Sequence, residues 1–240
     1  MAINVNTVYQ TVLLILNKEQ RGYMTPTEFN SVATQVQLEI FEKYFDDLNQ
    51  QLRIPQADTD YADRQENIDE KLAIFKTFGN ALHTTVGGLS YFILPTSDDY
   101  GNVVSFYRLG NVLYNDEKVV QRLDRHEFYY ANQSRLTKPS TINPAYLYEN
   151  QKLFVKPTTI IDKIKVDYIR KPSNIVWGFT PGAVGQYVWN DTIYSLSNPT
   201  GSTNFEIHES EQTEVILKIL LYSGIIIRDP EIVQTAAALV

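Results

Sequence analysis

Cysteine is absent from the 240-residue chain, and histidine occurs only three times. Without cysteine the chain has no disulfide framework, no thiol nucleophile and no cysteine-based metal site. The histidines, His83, His126 and His208, lie far apart in the sequence. His126 and His208 each precede a glutamate, but adjacent residues of a helix point apart and do not form a metal pair. We therefore predict no metal and no cofactor.

Long apolar runs and a net positive charge are also missing. No segment approaches the roughly 18 apolar residues of a membrane-spanning helix. The first four residues lack the basic start and apolar core of a signal peptide. The sequence therefore predicts a soluble protein that is made in a cytoplasm and has no membrane partner. The net charge of −7 argues against tight wrapping of nucleic acid, which needs a basic surface.

Catalytic motifs are not recognisable either. The glycines at 87–88 lack the Lys-Ser/Thr sequence of a phosphate-binding loop. No serine lies in a nucleophile-elbow pattern. The paired aspartates at 46–47 and 98–99 fit a polar helix face and a turn, respectively. We therefore predict that the protein is not an enzyme.

Amphipathic helices are predicted at both ends of the chain. Apolar residues recur at three-to-four spacing over 4–20 and 25–53, and the second helix opens with a capping box at 25–28. A third helix is predicted over 66–78, with Gly79 as its stop. A late helix is predicted over 209–223 and is ended by Gly224, and a last segment follows Asp229.

Between these helices the apolar period changes to two, which is typical of strands. Strands are predicted over 91–95, 103–109 and 111–114, and a short helix begins after Asp124. Residues 143–172 contain three alternating runs separated by turn residues, which predict an antiparallel meander.

This order of elements predicts an α+β fold. We expect the N- and C-terminal helices to form a helical bundle that carries an inserted antiparallel β-sheet or sandwich domain. The predicted bundle comprises 1–80 and 205–240. The predicted β domain comprises 81–204, with an aromatic loop excursion at 173–204. The bundle segments sum to a charge of −9 and the middle to +2, which fits either simple solvation or complementary contacts between copies.

Two sets of residues are candidates for contacts with partners. Exposed aromatic loops are favoured contact surfaces, although the two tryptophans could instead cap the core of the sheet. The first set combines this loop with the C-terminus: Trp177, Phe179, Tyr187, Trp189, Tyr194, Asp229, Leu239 and Val240. The second set is a basic sheet face, which fits a solvated surface, subunit contacts or contact with passing DNA: Lys152, Lys156, Lys163 and Lys165.

Several stretches of sequence resemble a known family over nearly the full length of the chain. They follow a three-helix start: PAYLYENQKLFVKP at 144–157, VDYIRKP at 166–172, His208-Glu209 before a closing helix, and IIRDP at 226–230. The chain resembles the head-to-tail adaptor proteins of short-tailed bacteriophages, also called ring, gatekeeper or tail-tube A proteins. It is most similar to the ring proteins of crAss-like phages.

This resemblance implies a virion structural protein of the neck and tail region. It implies a ring of about twelve copies under the portal protein, with further tail ring or tail-hub proteins as partners. Double-stranded DNA would pass transiently through the ring, and no catalytic residues are carried over. The excursion at 173–204 does not align with the family pattern. The alternative is therefore a glycan- or receptor-binding tail module that uses the aromatic loop from Trp177 to Tyr194.

Overall fold

The computed structural model describes residues 2–18, 23–53, 60–97, 104–195 and 198–227. Within these residues the protein is a mixed α+β structure with five α-helices and both antiparallel and mixed sheets, which confirms the predicted fold class. The segment Phe75–Lys171 forms one compact unit, and the segments on either side of it together form the other. Residues 75–80 thus belong to the strand-rich unit, whereas 172–204 belong to the helical one.

Helices dominate both ends of the described chain, and strands dominate its middle. The helices are α1 (Val5–Lys18), α2 (Pro26–Arg53), α3 (Asp60–Ala73), α4 (Arg125–Gln133) and α5 (Gln212–Ile227). The strands are β1 (Lys76–Asn80), β2 (Leu82–Val86), β3 (Leu89–Ile93), β4 (Ser105–Tyr114), β5 (Lys118–Val119), β6 (Gln121–Arg122), β7 (Ala145–Glu149), β8 (Lys152–Lys156), β9 (Ile164–Lys171), β10 (Phe179–Pro181) and β11 (Tyr187–Trp189).

The helices of the first unit pack through their apolar faces. α5 contacts both α1 and α2, and α3 contacts α2. The predicted capping box opens α2, because the Thr25 N–H donates to Glu28 Oε2 at 2.9 Å and the Glu28 N–H donates to Thr25 Oγ1 at 3.4 Å. The late helix differs from the prediction, since it continues through Gly224. Gly224 is buried, so a small residue suits this position, and burial of Val215 and Ile219 offsets its low helix propensity.

The strand-rich unit contains two sheets, with strand orders β1-β9-β4-β5 and β2-β3-β8-β7-β6. All their pairs are antiparallel except β6–β7. The inward residues of both sheets belong to one apolar core, which includes Phe92, Leu153 and Val155 from one sheet and Val166 and Tyr168 from the other.

The predicted meander at 143–172 is wrong in its third run. β7 and β8 form the expected hairpin, but β9 pairs with β1 and β4 in the other sheet. The predicted alternation nevertheless holds in this run, since Ile164, Val166 and Tyr168 are buried on one face of β9. Alternation specifies which side chains point inward and leaves the partner strand undefined.

Three further predictions around the sheets need correction. The third helix ends at Ala73, and residues 76–80 form β1, in which Thr77 and Gly79 are buried and Phe78 is exposed. The hairpin β2–β3, joined by the two glycines at 87–88 with φ of +59° and +80°, was not predicted. β4 runs through Gly110, where a register shift against β9 takes the place of the expected break.

Candidate functional site

Four aromatic rings of the first unit form a continuous row. Trp177, which is only 4% exposed, lies with its ring centroid 4.4 Å from that of Tyr9 in α1. Trp177 also stacks on Phe179, with 6.1 Å between the ring centroids, and Phe179 meets Tyr187 edge-on with 4.8 Å between theirs. The row therefore connects α1 to the β10–β11 hairpin.

Two asparagines hold Trp177 in this row. Its main-chain N–H donates to Asn30 Oδ1 at 2.7 Å, and its indole Nε1–H donates to Asn6 Oδ1 at 3.1 Å. Both donors of this residue are thus satisfied by side chains of α1 and α2, as buried polar groups require. The buried ring packs against the helices, whereas the sequence offered only an exposed loop or a cap on the sheet.

A groove of about 470 Å³ lies beside the row, between α1 and the β10–β11 hairpin. We call it the aromatic groove and define it by its lining: Asn6, Tyr9, Gln10, Leu13, Tyr23, Trp177, Gly185, Gln186, Tyr187 and Trp189. Tyr23, Tyr187 and Trp189 are the exposed rings, and Trp189 has 37% of its surface accessible. None of these lining residues carries a formal charge at neutral pH, so within the described residues the groove is aromatic and uncharged.

The hydroxyl of Tyr9 also remains uncharged. It donates to the main-chain oxygen of Met24 at 3.1 Å. Burial raises the pKa of Tyr9 well above its ordinary value, and a hydrogen bond with Tyr23 raises this pKa further. Tyr9 therefore adds no charge to the aromatic groove across the neutral range of pH.

Ser202 fixes the hairpin side of the aromatic groove. Its Oγ accepts the indole N–H of Trp189 at 3.1 Å and the N–H of Gly178 at 3.0 Å, and it donates to Asn190 O at 2.5 Å. A Cβ at Gly178 would lie 2.2 Å from Thr200 O, so only glycine fits this close approach. Trp189 is thus held in one orientation although its ring is partly exposed.

The candidate aromatic residues do not all meet at one place. Trp177, Tyr187 and Trp189 line the aromatic groove, and Phe179 lies behind it in the ring row. Tyr194 is exposed and does not line the groove. The other candidates, Asp229, Leu239 and Val240, lie outside the described residues. Sequence reasoning missed the residues that α1 contributes to the aromatic groove, and it also missed Tyr23. The signal that the sequence offered for them was a pair of tyrosines, Tyr9 before the end of α1 and Tyr23 after it.

The four candidate lysines are distributed over two sheets. Lys152 and Lys156 lie in β8, Lys165 lies in β9, and Lys163 precedes β9. The Lys152 ammonium is 4.3 Å from the ring centroid of Tyr91, and Lys165 lies 3.7 Å from an Asp116 carboxylate oxygen. They therefore do not form one continuous basic sheet face.

A second candidate surface is the free edge of β2, which we call the β2 edge. In a hairpin with a two-residue turn the flanking residues form a hydrogen-bonded pair, so the main-chain groups of His83 and Thr85 point away from β3. Within the described residues these groups have no main-chain partner. Leu82 and Val86, at 70% and 58% exposure, flank them. The strand holds no Lys, Arg, Asp, Glu or Pro, the residues that commonly protect edges.

Charged residues of the first unit form an ionic cluster between helices. Buried Lys218 of α5 binds Glu39 of α2 at 2.5 Å, and Lys43 binds Glu214 at 2.9 Å. Lys71 pairs with Glu211 just before α5. These pairs join α2, α3 and α5, and each cation has an anionic partner, which is the arrangement of a structural cluster.

Family and curated-protein comparisons, metal-binding clusters and membrane-spanning helices were each considered for this chain. The sequence matches no protein-family model and no curated protein at a significant level. Among the described residues no three His, Cys, Asp or Glu side chains come together in a way that could hold a metal ion. Likewise, none of the described helices has the length and apolar character needed to cross a membrane. Among the described residues, the aromatic groove and the β2 edge are the two surfaces that we consider as candidate sites.

Proposed function

We propose that the protein is a non-catalytic virion structural protein, a ring-forming connector between the portal and the tail of a short-tailed phage. The observation that carries the proposal is the β2 edge, an uncharged and unprotected strand with apolar side chains. Such an edge accepts another strand through main-chain hydrogen bonds. In a protein that works as a monomer such an open edge is a liability, because other chains can pair with it.

The partner proposed for the β2 edge is the next copy of the chain. Ring closure requires a heterologous contact, in which the β2 edge meets a different surface of its neighbour. Pairing of the β2 edge with itself would be isologous and would end at a dimer. The uncovered apolar side chains Leu89 and Ile93 lie on the same face as Leu82 and Val86, because they are their cross-strand partners. This face would add apolar burial to the main-chain pairing.

In this proposal the α1, α2, α3 and α5 helices form a bundle, and the two sheets form an inserted sandwich. The proposal is supported by the contacts of α5 with α1 and α2 and by the core that the two sheets share. Within a ring the bundles of neighbouring copies would lie side by side. The sheet units would form a tube for passing DNA. The portal protein and further tail ring or tail-hub proteins would be the axial partners.

The test is the native mass of the protein, measured alone and after mixing with the portal protein of the same phage. We expect a closed ring of about twelve copies, formed either alone or only on the portal. Monomers in isolation agree with the proposal if rings form on the portal. Monodisperse monomers or dimers under both conditions would refute it.

A matched pair of variants links assembly to the β2 edge. Thr85→Pro removes an N–H that points away from β3, so the hairpin keeps its own hydrogen bonds while strand addition is blocked. Thr85→Ala keeps this N–H. We expect rings from Thr85→Ala and none from Thr85→Pro, with equal far-ultraviolet circular dichroism for the two. If both variants assemble equally, the β2 edge is not part of the interface between copies.

A further inference from the structure

The aromatic groove has a chemistry that ring formation does not use. We propose that it is a binding site for a neutral carbohydrate, so that the protein contacts a sugar as well as its neighbours. This inference goes beyond the connector function and involves a different unit of the chain from the β2 edge. Failure of either proposal would leave the other intact.

The absence of charge in the lining selects the class of ligand. Phosphates, nucleic acids and acidic sugars need cationic partners, and no cation is present among the described lining residues. The lining offers ring faces together with the side-chain amides of Asn6, Gln10 and Gln186. Aromatic faces pack against the C–H groups of a sugar ring, and amides both donate to and accept from hydroxyls. A neutral polyhydroxylated ligand therefore matches both parts of the lining.

The size of the aromatic groove agrees with this class. Its volume of about 470 Å³ lies within the range of roughly 300–1,000 Å³ that is usual for small-ligand sites. The exposed rings Tyr23, Tyr187 and Trp189 come from both sides, the first from the α1 side and the other two from β11. A sugar in the groove would therefore contact aromatic surface on two sides.

The hairpin rings are also oriented before any ligand binds. Ser202 holds the indole of Trp189, and Phe179 packs edge-on against Tyr187. Fixing these side chains in advance reduces the entropy that binding would otherwise cost. A binding surface is expected to hold its partly exposed aromatic rings in place through contacts of this kind. A loop that is only solvated is not expected to have them.

Intrinsic fluorescence measures binding directly, because the chain has two tryptophans and both line the aromatic groove. The probes are neutral disaccharides and trisaccharides of glucose, galactose, mannose and N-acetylglucosamine. A second arm uses surfaces coated with dextran, mannan or galactan, which distinguishes a surface polysaccharide from a free oligosaccharide. We expect a saturable change with at least one probe in either arm.

Variants assign the binding to the aromatic groove. Tyr187→Ala and Gln186→Ala change only exposed side chains of the hairpin, and each should weaken binding by about tenfold, the equivalent of one lost contact. Tyr194→Ala removes an exposed ring of the same segment that does not line the groove, and it should leave the affinity within about twofold. Saturable binding with this pattern supports the proposal.

Three results would overturn the carbohydrate site. The first is no saturable change with any probe in either arm up to about 10 mM, a concentration that would nearly saturate a site with a Kd of about 1 mM. The second is binding that survives Tyr187→Ala and Gln186→Ala unchanged. The third is binding confined to anionic sugars, tested with sialyllactose, because the uncharged lining does not account for it.

Discussion

The indole ring of Trp177 packs on the phenol ring of Tyr9 with 4.4 Å between their centroids, and this contact joins two distant parts of the chain. The contact is buried on both sides. It attaches the segment that carries the β10–β11 hairpin to α1. The two tryptophans therefore differ in role, since Trp177 is part of the core and Trp189 is partly exposed.

Replacement of Trp177 should cost much more stability than replacement of Trp189. Trp177→Ala removes a buried ring and two ring contacts, so we expect the free energy of unfolding to fall by about 3–5 kcal/mol. For Trp189→Ala we expect a loss of roughly 1 kcal/mol, from one exposed hydrogen bond and partial burial. Urea unfolding followed by circular dichroism measures both. Equal losses would contradict the buried role of Trp177.

Gln37 should be needed for stability although it is a polar residue. Its side chain is fully buried, with Nε2 donating to Ser173 O at 2.7 Å and Oε1 accepting the Glu206 N–H at 2.9 Å. Gln37→Ala leaves two main-chain groups without these partners, and we expect a loss of about 1–3 kcal/mol in the free energy of unfolding. Gln35→Ala, at an exposed position of the same helix, is the control and should change it by less than about 0.5 kcal/mol. Urea midpoints for the two variants give the comparison, and a similar shift in both would argue against this bridge.

Glu214 should contribute to the acid sensitivity of the protein. Burial by itself would raise the pKa of Glu214, but the hydrogen bond and charge of Lys43 outweigh it, and the pKa falls below its ordinary value of 4.5. A lowered pKa in the folded state means that the stabilisation is present above pH 4.5 and is lost as pH falls through the folded pKa.

Glu214→Gln should therefore lower the free energy of unfolding at neutral pH by about 1 kcal/mol and make its decline on acidification shallower. Glu42→Gln, which changes an exposed carboxylate of α2, is the matched control. The measurement is the urea midpoint as a function of pH. If the urea midpoint of Glu214→Gln falls with acidification as steeply as that of the unchanged protein, the ionic cluster does not determine the acid sensitivity.

Replacement of Tyr44 by phenylalanine should stabilise the protein. Its hydroxyl is buried and has no hydrogen-bond partner in the part of the chain that the structure describes. Burial also raises the pKa of Tyr44 well above its ordinary value of 10.0. The nearby negative charges of Glu211 and Glu214 raise this pKa further. Ionisation of Tyr44 therefore has no effect on stability below about pH 10, and stability falls as pH rises further because the unfolded chain releases this proton before the folded one does.

Tyr44→Phe should raise the free energy of unfolding at neutral pH by up to about 1 kcal/mol, since it removes an unpaired buried polar group. It should also reduce the loss of stability at alkaline pH. Tyr130→Phe, at an exposed position of α4, is the control. Thermal unfolding at pH values on both sides of 10 provides the measurement, and destabilisation by Tyr44→Phe would indicate that the hydroxyl has a partner.

The terminal helices were predictable because their signals are local. The apolar stripe of α1 and the capping box of α2 lie within one or two turns of helix, and the structure confirms both. The end of the third helix was predicted wrongly for the same reason. Phe75 and Phe78 fit a helical spacing, but pairing of β1 with the distant strand β9 determines the conformation there.

The aromatic groove was only half predictable. The aromatic residues of β10 and β11 stand close together in the sequence and indicated a contact surface. The contributions of Asn6 and Tyr9 depend on packing against Trp177, which is 171 residues from Asn6 in the sequence, and no local pattern encodes such a contact. The β2 edge is not predictable from the sequence, because which strand lies at the edge of a sheet depends on pairing between distant segments.

The two ends of the Phe75–Lys171 unit are held together by the pairing of β1 with β9 and by a main-chain hydrogen bond in which the Arg170 N–H donates to Phe75 O at 2.9 Å. In terms of loop closure, Phe75–Lys171 therefore acts on the rest of the chain as a short loop would, because its two ends are already held together. The entropy of closing a loop depends on the separation of its ends and only slowly on its length. A change in the length of this unit would consequently alter the closure entropy of the chain only slightly.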